Sequence, residues 1–536
     1  METDSSDYLV IGSGPASIAA VMALVNHGHH VTILDVGTTL DPKRKGVVDR
    51  MAQLNPEDWT EDDIATLGGQ REQQSEAVHS KRSYGSSFPF ATPNALRIDW
   101  RSSGKFNHSL AKGGLSNVWG ASLLSNRQQD IEDWPITIQD LAPHYREVMK
   151  FVPSTAILDD LDEFLPTYSI QSNPLKPSVQ GSRLLSDLDK ERSVLVRSGI
   201  RYGRGRLAIQ ANGEGKPRPC VYCALCLEGC PYGLIYSSTD TLAGLIAAQK
   251  VRYLSDRLVE TFQSDGERVV VVGHNTSDGT RFSFSAKRLF LGAGVLPTAL
   301  ICLNSIGTGT GRATLRDSQY FIYPMLRFRG VSGIETERMH TSTQVFIEIN
   351  DPSVSRHTVH LQIYGYSRFL HDELERTFLR WPLRFAFFRK YFLGRLMIAQ
   401  GFLHSSESGH VDLDLKHTPD GKCFLEADAV CNPTAFRRIL KIGWKLARNA
   451  LKLRMFPLFP GLQIPSPGSG YHSGGSFPMR ENPAQLETDT FGRFPGHDRV
   501  HIIDSSVLPS VPATSITMTT MANAHRIATK ASSLPI

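Results

Sequence analysis

Cys220, Cys223, Cys226 and Cys230, followed at once by Pro231, stand in a C-x2-C-x2-C-x3-C-P run. Thiolates spaced this closely can turn toward one point, and the spacing is one that ligates iron–sulfur clusters. Three readings stay open: a [4Fe–4S] cluster, a structural Zn²⁺, or reduced thiols with no metal. Zinc sites usually separate two C-x2-C pairs by a longer span, which this run lacks. Cys302, Cys423 and Cys431 are scattered and supply no second run. The other candidate for chemistry is His472, set in Tyr471-His472-Ser473-Gly474-Gly475. An imidazole titrates near working pH and can take a proton from a hydroxyl it hydrogen-bonds.

The elements that would position such chemistry begin at the N-terminus. Asp7 to Ile11 reads as a buried strand, Gly12-Ser13-Gly14-Pro15-Ala16-Ser17 as a tight turn, and Ile18 to His27 as a helix. A second strand, Val31 to Leu34, ends at Asp35. This βαβ order predicts a dinucleotide site. Gly12 makes the turn, Ser13 and Gly14 let the main chain approach a pyrophosphate at the helix N-terminus, and Asp35 can accept from a ribose hydroxyl. Ser17 replaces the third glycine of the pattern, which asks for looser helix–strand packing.

Further patches point to the flavin. The segment Ala111-Lys112-Gly113-Gly114-Leu115-Ser116-Asn117-Val118-Trp119-Gly120, the stretch Arg288 to Thr298, the stretch Tyr471 to Met479, and Val500 to Pro509 with the helix through Asn523 follow in order. Together with the N-terminal fingerprint they resemble the glucose–methanol–choline (GMC) oxidoreductases. The resemblance implies an α/β fold: a Rossmann-like FAD-binding domain, residues 1–320 and 465–536, and a discontinuous, mainly β-sheet substrate-binding domain, residues 320–465. It implies FAD contacts from Gly113, Gly114, Ser116, Asn117, Val259, Asp504 and Asn523. It also implies oxidation of an alcohol or sugar-type donor by hydride transfer to flavin N5, with His472 as the base and an acceptor other than oxygen. Where the family carries a second histidine or an asparagine, this chain has Ser515, which can donate one hydrogen bond; either the partner is supplied from elsewhere, from Asn523 or the substrate domain, or the site takes a different donor from the simple alcohols. Some family members have a cysteine-rich insertion near the position of residues 215–235. Two alternatives remain: a flavin and iron–sulfur electron-transfer subunit, and a non-redox flavin mutase or isomerase.

Composition narrows the partners. With 40% hydrophobic and 21% charged residues and a formal net charge of +5, the chain reads as globular, and bulk charge gives no case for nucleic acid. The acidic opening Met1 to Asp7 and the odd count of seven cysteines predict a reducing, cytoplasmic setting. Aromatics interleaved with cations over residues 380–397, and a basic helix over Arg437 to Arg454 with Trp444, raise peripheral membrane contact against the alternative of an ordinary solvated face.

Overall fold

The computed structural model describes residues 2–68, 83–91, 96–102, 106–306, 312–367 and 391–534. Its first sheet is built on the strand Glu2–Ile11, which pairs in parallel with Val31–Leu34 on one side and Arg281–Leu291 on the other. Val251–Leu254 extends the parallel edge beyond Val31–Leu34. Arg281–Leu291 forks: its first half pairs with the antiparallel hairpin Arg257–Ser264 and Val269–Asn275, its last residues with Val500–Ile502. The apolar runs in these strands follow from burial on both faces, as a parallel sheet covered by helices requires.

The helix Pro15–Asn26 has Gly14 as its N-cap and a proline in its first turn. It packs against the last helix, Thr517–Ser532. The expected looseness at Ser17 does not occur. Its hydroxyl is fully buried and donates to the carbonyl of Gly292 at 3.0 Å. Close approach is kept by a glycine on the opposite side, since a Cβ on Gly292 would lie 2.4 Å from Ser17 Oγ.

A second sheet runs in the order Met455–Pro457, Tyr320–Arg327, Leu396–Phe402, Val359–Tyr364, Val345–Ile349, Ile200–Arg204, all antiparallel. Side chains alternate across it. One face, with Phe321, Tyr323, Ile347, Leu361 and Ile363, forms a separate apolar core against the helices Val179–Lys190 and Pro433–Arg448. The opposite face aligns Tyr320, Phe402, His360 and Glu348 in one row of partners, and Gln400, Gln362 and Phe346 in the next. A third sheet joins Ser473–Gly474, Arg312–Asp317, His410–His417, Cys423–Val430 and Ile98–Trp100.

The architecture is therefore α/β, a Rossmann-like parallel sheet beside a mainly β unit. Two segments cross the limits expected from the sequence. Ile200–Arg204 lies in the second sheet. The hairpin over residues 410–430 buries Val411, Leu413, Leu425 and Ala427 in the first core.

Candidate active site

A cavity of about 1020 Å³ opens at the C-terminal ends of the parallel strands, where a doubly wound sheet binds its ligand. Gly12, Ser13, Gly14, Asp35, Gly114, Val259 and Asp504 all line it. Gly12 has φ +91° and a Cβ there would stand 2.6 Å from the carbonyl oxygen of Gly292, so only glycine fits the turn. Gly14 has open space where its Cβ would be. Two helix N-termini, at Gly14 and at Gly294, border the same space and offer main-chain N–H groups to an anion.

Ser13 ties the pieces together. Its hydroxyl donates to Asp35 Oδ2 and accepts from the Gly113 N–H at 2.8 Å. Tyr253 donates to the same carboxylate oxygen at 3.0 Å. Burial dominates at Asp35 and raises its pKa from 3.8 to about 6, against the opposing pull of Ser13 and Tyr253. A hydroxyl donor from a bound ribose would offset that burial. Asp504 accepts from the Gly294 N–H at 3.0 Å and from Thr298 at 2.6 Å, and so fixes the loop that opens the helix Val295–Ser305.

Gly113, Ser116, Asn117 and Asn523 are not among the cavity-lining residues. Ser116 donates to the Gly113 carbonyl at 2.5 Å, and Asn117 donates to the carbonyls of Lys112 and Gly114 at 3.0 and 2.7 Å. Both shape the glycine loop from behind. Asn523 is fully buried; its carbonyl accepts from Arg526, while its Nδ2 is left without a partner.

His472 is part-buried and is not among the residues lining the cavity. Its Nδ1 is buried without a partner, which leaves Nε2 as the open nitrogen. Burial is the main cause that lowers its pKa from 6.5 to about 3. Burial favours the neutral ring. Phe402 stacks on it with centroids 4.6 Å apart. Phe402 also packs with Ala513, two residues before the buried Ser515. His472 therefore lies where the C-terminal segment meets Phe402 of the second sheet.

A family model for GMC oxidoreductases matches residues 405–524, the part of the chain that carries His472, Asp504, Ser515 and Asn523. The matched stretch is about a fifth of the chain. Its fold is similar to a crystal structure titled as pyridoxine 4-oxidase from Mesorbium loti, with a TM-score of 0.58, 12% identity and 98% of each chain covered. No curated protein matches the chain by sequence. GMC oxidoreductases bind FAD and act on alcohol-type donors. The cavity fits that cofactor by the open space at Gly14, by Asp35 at the end of the second strand, and by the two helix N-termini.

Sequence reasoning missed Tyr253 and Thr298, which hold the two carboxylates, and the polar groups Glu348, His360, Gln362 and Tyr364. The last three alternate with Leu361 and Ile363 along one strand, a period-2 signal that was present in the sequence.

The cysteine run forms an irregular loop clamped by its surroundings. Tyr84 donates from its hydroxyl to the Cys230 carbonyl at 3.1 Å, and its ring fills the space a Cβ on Gly229 would need. Cys220 donates its N–H to the Ala211 carbonyl, and Cys223 bridges to Met339. All four are free thiols. Burial, with the neighbouring Cys226 thiol, pushes Cys230 up to about 12 and also raises Cys223; burial leads at Cys220 too, which rises to about 11. Among the described residues no group of three or more His, Cys, Asp or Glu is arranged to hold a metal ion.

Proposed function

We propose that this chain is a GMC-type oxidoreductase that binds FAD in the cavity and oxidises a hydroxyl-bearing carbon, with His472 as the group that takes the hydroxyl proton. The supporting observation is His472 itself: a part-buried imidazole whose Nδ1 has no partner among the described residues, stacked on Phe402 of the second sheet. When bound, FAD supplies the two-electron acceptor. The chain's own work is to hold its pyrophosphate at Gly12 to Gly14, orient the donor, and receive one proton at His472 Nε2. Electrons leave to an acceptor other than oxygen. The test is anaerobic bleaching of the flavin by a panel of alcohols and sugars, followed by reoxidation with oxygen or a quinone. Bleaching by none of them, with reduction only by a partner protein, would make the chain an electron relay instead.

For the cysteine loop we propose a [4Fe–4S] cluster, supported by the spacing and by four part-buried thiols on one clamped turn. The thiols do not converge as they stand, so the loop must tighten around the cluster, and no reaction step is assigned to it. Iron and sulfide analysis of anaerobically purified protein, with EPR after reduction, checks this; a flavin-replete sample lacking both elements leaves a Zn²⁺ site or plain thiols.

We also propose contact with an anionic membrane surface. Residues 380–390 of the expected aromatic and basic stretch lie outside the described residues. The helix Pro433–Arg448 supplies the support: Arg437, Lys441, Trp444 and Arg448 are exposed along it, and Leu451 continues the row. No described helix is long and apolar enough to cross a membrane. Vesicles with and without phosphatidylserine decide it, since equal sedimentation with both would remove the charge-based contact.

A further inference from the structure

The polar face of the second sheet carries groups that the fold does not require, because the opposite face already supplies that unit's core. Glu348 is fully buried, and its Oε1 accepts from Nδ1 of the equally buried His360 at 2.6 Å. A proton held on Nδ1 leaves Nε2 as an acceptor, and the Gln362 amide nitrogen lies 3.2 Å from it. The amide oxygen of Gln362 accepts in turn from the Tyr364 hydroxyl at 2.8 Å and from Thr343 at 3.3 Å. Every donor in this chain points toward Glu348, so each bond polarises the next. Among the described residues Glu348 Oε2 has no hydrogen-bond partner. A buried carboxylate so sparsely satisfied is a costly way to build a sheet.

The far end of the chain differs from the rest. Glu348, His360 and Gln362 are buried, whereas Tyr364 keeps accessible surface although it lies deep in the protein. Its hydroxyl is 3.9 Å from where a Cβ on Gly120 would sit, so it faces the exposed last residue of the glycine loop that begins at Ala111. With its proton committed to Gln362 and the Thr343 hydroxyl also within hydrogen-bond reach, the Tyr364 oxygen keeps one lone pair for a further donor.

We propose that Tyr364 is a specificity-determining residue whose oxygen, at the open end of the Tyr364–Gln362–His360–Glu348 chain, accepts a hydrogen bond from a second hydroxyl or amino group on the donor. The preferred donors are then diols or amino alcohols and not simple alcohols. This rests on the alcohol-oxidation reading above and narrows its donor class.

The test uses the flavin-loaded enzyme with cyclohexanol and trans-1,2-cyclohexanediol as probes, reading binding from the perturbed flavin spectrum and turnover from anaerobic bleaching. The wild type should bind the diol about tenfold more tightly, the order expected of one well-made hydrogen bond. Tyr364→Phe should lose that preference through weaker diol binding, with cyclohexanol binding and the saturated bleaching rate unchanged. Glu348→Gln should lose part of it in the same direction. A merely structural role would weaken both probes alike. A wild type without preference, or a Tyr364→Phe enzyme that keeps it, overturns the anchor. If neither probe bleaches the flavin while the Tyr364-dependent binding preference persists, the oxidation reading fails and the anchor stands.

Discussion

The cavity and the surroundings of His472 are built differently. At the strand ends the cavity is lined by Gly12 to Gly14, Gly114 and Gly292 to Gly294, with the N-termini of two helices. Around His472 the neighbours are side chains: Phe402 stacks on it, and His360 stacks on Phe402. A main-chain site depends on the absence of Cβ atoms at fixed positions and tolerates little else. A side-chain site can be re-specified residue by residue while its sheet stays the same, which suits the part of an enzyme that must choose a donor.

The largest effect should come from putting a side chain into the main-chain site. Gly12→Val places a Cβ 2.6 Å from the Gly292 carbonyl oxygen at φ +91°, so we expect protein without bound FAD, read as flavin absorbance per chain. Full FAD content in that variant would break the contrast. Next, His472→Ala should keep FAD but slow anaerobic bleaching by about 100-fold or more, the usual scale of a lost general base. An unchanged rate would remove His472 from the chemistry.

Smaller effects sharpen the comparison. The raised pKa of Asp35 means that the fold favours its protonated form, so FAD-free protein loses stability as pH rises from 3.8 through about 6. A ribose hydroxyl favours the ionised form, so FAD affinity should climb over the same window and level off above it. Asp35→Asn should flatten both trends, and a wild-type affinity independent of pH would mean that Asp35 does not meet the ribose. His472 has the opposite sign: its folded pKa of about 3 lies below 6.5, so the fold favours the neutral ring, and stability rises with pH across that interval. The smallest change is expected from Ser116→Ala. Its hydroxyl is spent on Gly113, Ser237 and Ser238, so FAD content should hold while stability falls by about 1 kcal/mol, measured by denaturant titration. Loss of FAD instead would make Ser116 a direct ligand.

How far the site was legible follows the same division. The turn from Gly12 to Gly14, the acid at Asp35 and the match around His472 could be read because each lies in a contiguous stretch with local geometric demands. Ser116 and Asn117 were read as cofactor contacts for their place in the glycine loop. Their hydrogen bonds turn inward, and nothing in a loop sequence says which way a short polar side chain points. Glu348 and His360 are twelve residues apart in the chain and become direct partners only through the antiparallel register of their strands. The alternation of His360, Gln362 and Tyr364 was visible, but alternation alone does not say whether the polar face meets solvent or another unit.

The sequence by itself determined the fold class and the glycine turn at Gly12 to Gly14, because these rest on backbone conformation and periodicity over short stretches; it also singled out His472 as the candidate base by resemblance. Only the tertiary structure decided that Phe402 stacks on His472, that Tyr253 and Ser13 hold Asp35, and that a chain of hydrogen bonds ends at Tyr364. Those depend on strand register and on the docking of two units. Both are set by many small packing contacts between residues far apart in the chain.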